Sequence, residues 1–257
     1  MKESLVVIPT FNEIENIEAI IRKVLSLPEH FDVLIVDDGS PDGTAQCVRM
    51  LQDEFAGHLH LLERRGKLGL GTAYIDGFKW GLARGYRYLF EMDADFSHNP
   101  DDLVRLYNTC SRQGADVAIG SRYIKGVNVV NWPMGRVLMS YFAGVYVRFI
   151  TGMPIMDPTA GFICYRSEVL ETLLQNPIRF VGYAFQIEMK FSCWKYGFTL
   201  TEVPIIFTDR TKGVSKMSTR IFKEAVIGVI QMKIQSFFRH YIPPKRTAEV
   251  IAPVEAA

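Results

Sequence analysis

Asp93 and Asp95 stand one residue apart at the end of an apolar run, residues 86–92. Two carboxylates at a strand exit can hold a hard divalent cation, which takes oxygen ligands and leaves positions open for phosphate oxygens. The same three letters also describe a solvated turn in which Asp95 caps a neighbouring segment. A second acidic strand end, Asp37-Asp38, favours the cation.

Other cation loops fail on spacing. A twelve-residue calcium loop starting at Asp38 needs Glu at its last position, where Arg49 stands; one starting at Asp93 needs Gly at its sixth, where His98 stands. The Asp37-to-Thr44 stretch joins acceptor carboxylates to a Gly/Pro turn. A carboxylate there can accept from a base N–H or a ribose hydroxyl, while Asp42 and Thr44 cap the next helix. Lys67-Leu68-Gly69-Leu70-Gly71-Thr72 looks like a phosphate loop, yet Tyr74 replaces the third glycine of a dinucleotide fingerprint and no Gly-Lys-Ser/Thr follows. It reads as a helix opening or a close approach of backbone to a ligand. Arg210, Lys212 and Lys216 surround Gly213 and Ser215, a loop suited to engaging and releasing phosphate, or a solvated charged loop. Arg122 is likewise a phosphate ligand or a surface arginine. The five histidines show no metal-ligand spacing, and no Gly-x-Ser-x-Gly elbow exists.

These residues need a scaffold. Residues 4–8, 32–36, 59–62, 86–92 and 116–119 read as strands, and apolar periodicity between them reads as helix, with Asn12 and Glu15 as a capping box for the first. Alternation predicts an α/β fold with a mostly parallel sheet sandwiched by helices, its ligands beyond the carboxyl ends of the strands. Further helix is predicted over 135–150 and 219–241. The domain reading is a catalytic unit over 1–218 with an interfacial helical segment at 133–156, an amphipathic helix at 219–242 and a loose tail at 243–257.

Composition narrows the class. The 257 residues carry 29 basic and 28 acidic side chains, so no basic field invites nucleic acid. Four scattered cysteines predict buried thiols rather than a disulfide frame or a zinc site. The start runs directly into a strand, so no signal peptide is expected. The best membrane-span candidates are interrupted by charges, at Arg136 and Arg148 and at Glu224 and Lys233, so none is expected to cross.

Taken in order, Val7-Ile8-Pro9-Thr10-Phe11-Asn12-Glu13, Val36-Asp37-Asp38-Gly39-Ser40 and Met92-Asp93-Ala94-Asp95 resemble glycosyltransferase family 2, with its GT-A fold. Asp38-to-Thr44, Leu68-to-Tyr74, Phe96-Ser97-His98, Gly120-to-Tyr123, Asp157-to-Phe162, Gly182-to-Gln186 and the 210–216 loop resemble its dolichol-phosphate (polyprenol-phosphate) mannosyltransferase branch. Asp93-to-Ser97 also resembles the nucleophile loop of haloacid-dehalogenase-type phosphatases, but that loop ends in Thr or Val and lies on the first strand of its domain. The family resemblance implies that Pro9, Phe11, Glu13, Val36, Asp37 and Asp38 hold the nucleotide. It implies that Asp93, Ala94 and Asp95 meet the donor diphosphate and its Mg²⁺ or Mn²⁺, and that Arg122, Arg210, Ser215 and Lys216 bind phosphates of donor or acceptor. Phe11 replaces a tyrosine common in the family, and Ser97 stands where some members offer a Gln metal ligand.

The resemblance implies metal-dependent, inverting transfer of mannose from GDP-mannose to a polyprenyl (dolichyl-type) monophosphate by a peripheral enzyme on the cytoplasmic side of a membrane. UDP-sugar-dependent transfer to a lipid or polysaccharide, and non-catalytic nucleotide-sugar binding, are the alternatives. A phosphate acceptor is already anionic and needs no general base. For the membrane surface, the stripe Phe222, Val226, Val229, Ile230, Phe237 and Tyr241 with basic flanks suits a helix in the headgroup layer, or one packed on its own domain.

Overall fold

The computed structural model describes residues 2–182, 184–210 and 219–243, with side chains from 226 onward in the last stretch. In chain order the elements are β1 (Lys2–Thr10), α1 (Ile17–Leu25), β2 (Phe31–Asp37), α2 (Thr44–Glu54), β3 (Leu59–Glu63) and α3 (Leu70–Leu82). There follow β4 (Tyr86–Glu91), α4 (Asp102–Ser111), β5 (Val117–Ser121), β6 (Val129–Val130), α5 (Met134–Thr151) and β7 (Ile163–Arg166). The rest are α6 (Ser167–Leu174), α7 (Ala184–Lys195), β8 (Leu200–Pro204), β9 (Phe207–Thr208) and α8 (Thr219–Ser236).

Among the described residues a seven-stranded sheet runs in the order β3-β2-β1-β4-β7-β5-β8. Its pairings are parallel except those of β7, which is antiparallel to both β4 and β5. The strands are apolar on both faces because helices cover both. In β1, Leu5 and Val7 enter the core under α3, α6 and α7, whereas Val6 and Ile8 face α1, α2 and α4. The chain leaves β1 first toward β2 and later returns on the other side as β4. The crevice at the carboxyl end of β1 is therefore a topological switch point, where open α/β sheets bind ligands.

Two expectations change. Asn12 has φ of 57° and lies outside any helix; α1 begins at Ile17, and Glu13 accepts from the Asn16 side-chain amide instead of completing a capping box with Glu15. The last helix ends at Ser236, not at 241. Its exposed face is also rotated from the expected stripe. Val229 is buried and Tyr241 packs on Tyr196, while Ile227, Ile230, Ile234, Phe237 and Phe238 point outward. The Phe222 side chain lies outside the described residues. No described helix is long and apolar enough to cross a membrane. All four cysteines are free; Cys110, Cys164 and Cys193 are buried and Cys47 partly so.

Candidate active site

The site assembles at three neighbouring strand ends. At the end of β2 the carboxylate of Asp37 is fully buried and accepts from the hydroxyls of Thr10 and Ser40 and from the Ser40 N–H. All three donors are protein groups, so Asp37 shapes the turn that presents Asp38. Asp38, one residue on, receives the Arg64 guanidinium at 2.6 Å. Asp42 accepts from the N–H groups of Ile14 and Thr44, which fixes the Phe11–Glu13 segment against the start of α2. Glu13 is buried, with its own N–H on the Thr44 hydroxyl. The Phe11 ring is covered by the Lys67 ammonium at 5.2 Å. Pro9 is half-buried, and the Val36 side chain is turned into the core against Gly77 of α3.

At the end of β4, Asp93, Ala94 and Asp95 form a turn. Phe96 adopts φ of 60°, a conformation bulky residues rarely take, and this bend lets the Ser97 N–H donate to Asp95 at 3.0 Å. Asp93 keeps part of its surface open to the cleft, yet burial, reinforced by the Asp95 charge, pushes its pKa up to about 7. Two crowded carboxylates in a low-dielectric cleft form a donor set that a divalent cation would relieve. The residues therefore fit a metal, although no group of three or more His, Cys, Asp or Glu side chains gathers among those described. Diphosphate oxygens would have to complete its coordination.

The cation side is built by the small β6–β9 sheet. Phe207 bridges to His98, and the Thr208 N–H donates to the Ser97 carbonyl. This pairing delivers the next residues to the cleft, so that Arg210 meets Asp95 at 2.9 Å. Asp209 in turn pairs with Arg136 of α5 at 2.8 Å. Sequence reasoning missed Arg136; its spacing within a helix carried no motif. Ser215 and Lys216 lie outside the described residues.

Arg122, expected as a phosphate ligand, lies on Asp157 in this structure. Its guanidinium is buried, grips both oxygens of Asp157 at 2.7 Å and donates to Thr159 at 2.8 Å. Asp157 is also held by the Arg122 N–H, so this pair fixes the end of β5 to the 157–160 turn. His98 is buried too, stacked on Phe162 and edge-on to Phe207. Its Nδ1 accepts the Asp93 N–H at 3.4 Å, and burial pushes its pKa down to about 4. A neutral imidazole used as a prop is a poor candidate for a base.

Beneath the turn lies a buried polar cluster that motifs only partly signalled. Glu91 accepts from Gln186 and from the Tyr165 hydroxyl, and the buried Lys190 ammonium donates to the Ala160 and Gln186 carbonyls.

The matches to known proteins agree with this geometry. Residues 5–174 match the model for glycosyl transferase family 2. The chain is 45% identical over 234 residues to a polyprenol monophosphomannose synthase of Mycolicibacterium smegmatis, covering 91% of this chain and 88% of that one. It is 43% identical to an undecaprenyl-phosphate mannosyltransferase of Micrococcus luteus, covering 88% and 91%. Among solved structures, glucosyl-3-phosphoglycerate synthase from Mycobacterium tuberculosis, with Mn²⁺, UDP and glucosyl-3-phosphoglycerate, superposes with a TM-score of 0.65 at 17% identity, over 95% of this chain and 82% of that one. A mannosyltransferase from Pyrobaculum calidifontis with GDP-Man and Mn²⁺ gives 0.57 at 16%, over 94% and 65%. The expected GT-A architecture is thus the fold observed, and the chain belongs to glycosyl transferase family 2.

Proposed function

We propose that the chain transfers mannose from GDP-mannose to a polyprenyl monophosphate with inversion, using Mg²⁺ or Mn²⁺. The observation that carries this reading is the Asp95–Arg210 contact at the switch point: a carboxylate pair suited to a metal diphosphate, with a guanidinium brought directly onto it. The names of the two relatives support mannose as the sugar and a polyprenyl phosphate as the acceptor class, and GDP-mannose is the donor we assign with them.

Phe11, Pro9 and Asp38 form the nucleoside slot, with Glu13 and the Val36 backbone as its floor. Asp93 and Asp95, with Ala94 between them, would hold the metal, and the Ser97 hydroxyl is the third protein oxygen we assign to it. Bound there, the metal would neutralise charge developing on the leaving diphosphate. Arg210 must exchange part of its contact with Asp95 for a phosphate when substrates enter, and Lys216 and Ser215 would join it. Arg136, one ion pair away through Asp209, would face the acceptor side. Arg122 acts by holding the 157–160 turn, not by touching phosphate. The acceptor needs no proton removed, since the second pKa of a phosphate monoester is about 6. It needs in-line placement and charge compensation.

The test is initial rates with GDP-mannose and UDP-hexoses, on polyprenyl phosphate and on the matching polyprenol, with Mn²⁺ or with chelator. Transfer confined to GDP-mannose, phosphate acceptor and metal is expected. Efficient transfer to the neutral alcohol would overturn the mechanism, and preference for a UDP-sugar would overturn the donor.

A further inference from the structure

Arg64 follows β3 and belongs to none of the motifs, yet its side chain is only 5% exposed. Its guanidinium reaches three separate parts of the chain. Nε donates to Asp38 Oδ1 at 2.6 Å, and Nη2 contacts the same oxygen at 2.5 Å. Nη1 donates to the Thr72 hydroxyl at 2.8 Å and to Asp76 at 3.2 Å, both on α3. Nη2 also reaches the Gly69 carbonyl at 3.4 Å. The backbone joins in: the Arg64 N–H donates to the Asp37 carbonyl, and a side chain at Gly39 would meet the Arg64 carbonyl at 3.4 Å.

With four hydrogen bonds and ion pairs to both Asp38 and Asp76, the guanidinium is fully engaged within the protein. Its contacts fix what surrounds a ligand. Asp38 gives Oδ1 to the fork and also accepts from the Leu68 N–H of the 66–72 loop, so its carboxylate is oriented from two sides. Gly69 has φ of 105°, a side chain added there would meet Val181 at 3.2 Å, and the Gly71 N–H donates to the Val181 carbonyl at 3.0 Å, so the 66–72 loop is held on its other side as well. Lys67, in that loop, covers Phe11. One planar cation thus ties together the carboxylate, the loop and, through Lys67, the ring of the nucleoside slot.

We propose that Arg64 is a positioning residue for the donor nucleoside: it locks Asp38 and the 66–72 loop in one arrangement, so that donor affinity rather than turnover depends on it. This rests on the nucleoside lying at Asp38. Lysine keeps the charge but is a point donor that cannot span a carboxylate, a hydroxyl and a carbonyl in fixed directions.

The experiment is donor and acceptor saturation kinetics on the full chain for Arg64→Lys, Thr72→Val and Asp38→Ala, with melting temperatures alongside. For Arg64→Lys the donor KM should rise about tenfold, with kcat and acceptor KM within about threefold of wild type. Thr72→Val, which removes one anchor of Arg64 together with the Thr72 hydroxyl's bond to the Gly69 carbonyl at 2.7 Å and leaves Arg64 and Asp38 in place, should raise donor KM about threefold. The inference is overturned if Asp38→Ala weakens donor while Arg64→Lys does not, or if Arg64→Lys lowers kcat and raises both KM values together. Should Arg64→Lys fail to fold, an unchanged donor KM in Thr72→Val overturns it. An unchanged donor KM in Asp38→Ala instead removes the nucleoside from Asp38, and the inference with it.

Discussion

At Asp93, burial and the Asp95 charge hold the carboxyl pKa near 7, and this has a sign for stability. Between the unfolded value near 4 and about 7, the folded chain keeps a proton that the unfolded chain has lost, so without metal its stability falls as pH rises through that window. Glu91, pushed up to about 7 by the same burial, adds to the slope. Asp93→Asn should make the slope shallower and raise the melting temperature at pH 8 in chelator by roughly 3 °C, while sugar transfer is lost. A variant that melts below wild type at pH 8 would show that Asp93 supports the fold rather than straining it. Asp157 has the opposite sign. Burial alone would raise its pKa, but Arg122 outweighs burial and holds it below the usual carboxylate range. Its contribution is present above the unfolded value and lost as pH falls through the folded one.

Among the elements, α3 shows why glycines can matter more than propensity. Gly77 and Gly81 lie one turn apart on the face that meets the sheet, and a Cβ at Gly77 would collide with Val7 Cγ1, two residues before Pro9. Alanine there gains about 1 kcal/mol of helix propensity but overpacks the core at a cost of about 1–3 kcal/mol. Gly77→Ala is therefore expected to lower the urea midpoint, and an unchanged or raised midpoint would mean that α3 rides higher on the sheet than described. The elements differ in how far the sequence announced them. Strands β1 to β5 stand out as apolar runs ending in Thr, Asp, Glu or Ser, and the ends of β2 and β4 place Asp38, Asp93 and Asp95 around one crevice. Helix α7 escaped because residues 184–193 are all buried, Gln186, Glu188, Lys190 and Ser192 included, which erases the amphipathic period. Strand β7 is four residues long and enters antiparallel, a direction that no local pattern encodes. Arg122 illustrates a related point: a motif names a cation, but only the fold shows that its guanidinium lies on Asp157.

Across the whole molecule, many of the large apolar residues left outside the core lie on or beside two helices. Helices α5 and α8 lie side by side, joined by the Tyr146 hydroxyl on the Val226 carbonyl and the Lys233 ammonium on the Thr151 carbonyl. From this pair Met134, Leu138, Phe142 and Phe149 of α5 point into solvent together with Ile230, Ile234 and Phe238 beside or on α8; Phe149 is 86% and Phe238 80% exposed. Single exposed apolar residues are ordinary, whereas a set spread along two adjoining helices marks a docking face. Arg148 and Arg239 lie on or next to these helices, and Arg136 begins α5 beside the site. A membrane carrying the polyprenyl phosphate would meet the apolar face, with the phosphate reaching the site beside Arg136. Each large side chain inserted contributes about 1.5–3 kcal/mol, so losing two should weaken vesicle binding well over tenfold. Phe149→Glu combined with Ile234→Glu should abolish co-sedimentation with anionic vesicles. It should also slow transfer to long-chain polyprenyl phosphate in those vesicles about tenfold, and leave transfer to a short, water-soluble prenyl phosphate near wild type. Both substitutions lie on solvent-facing positions, so the melting temperature should barely move. A wild-type chain that elutes as an oligomer, with a monomeric variant that still sediments with vesicles, would assign this face to a second copy of the chain instead.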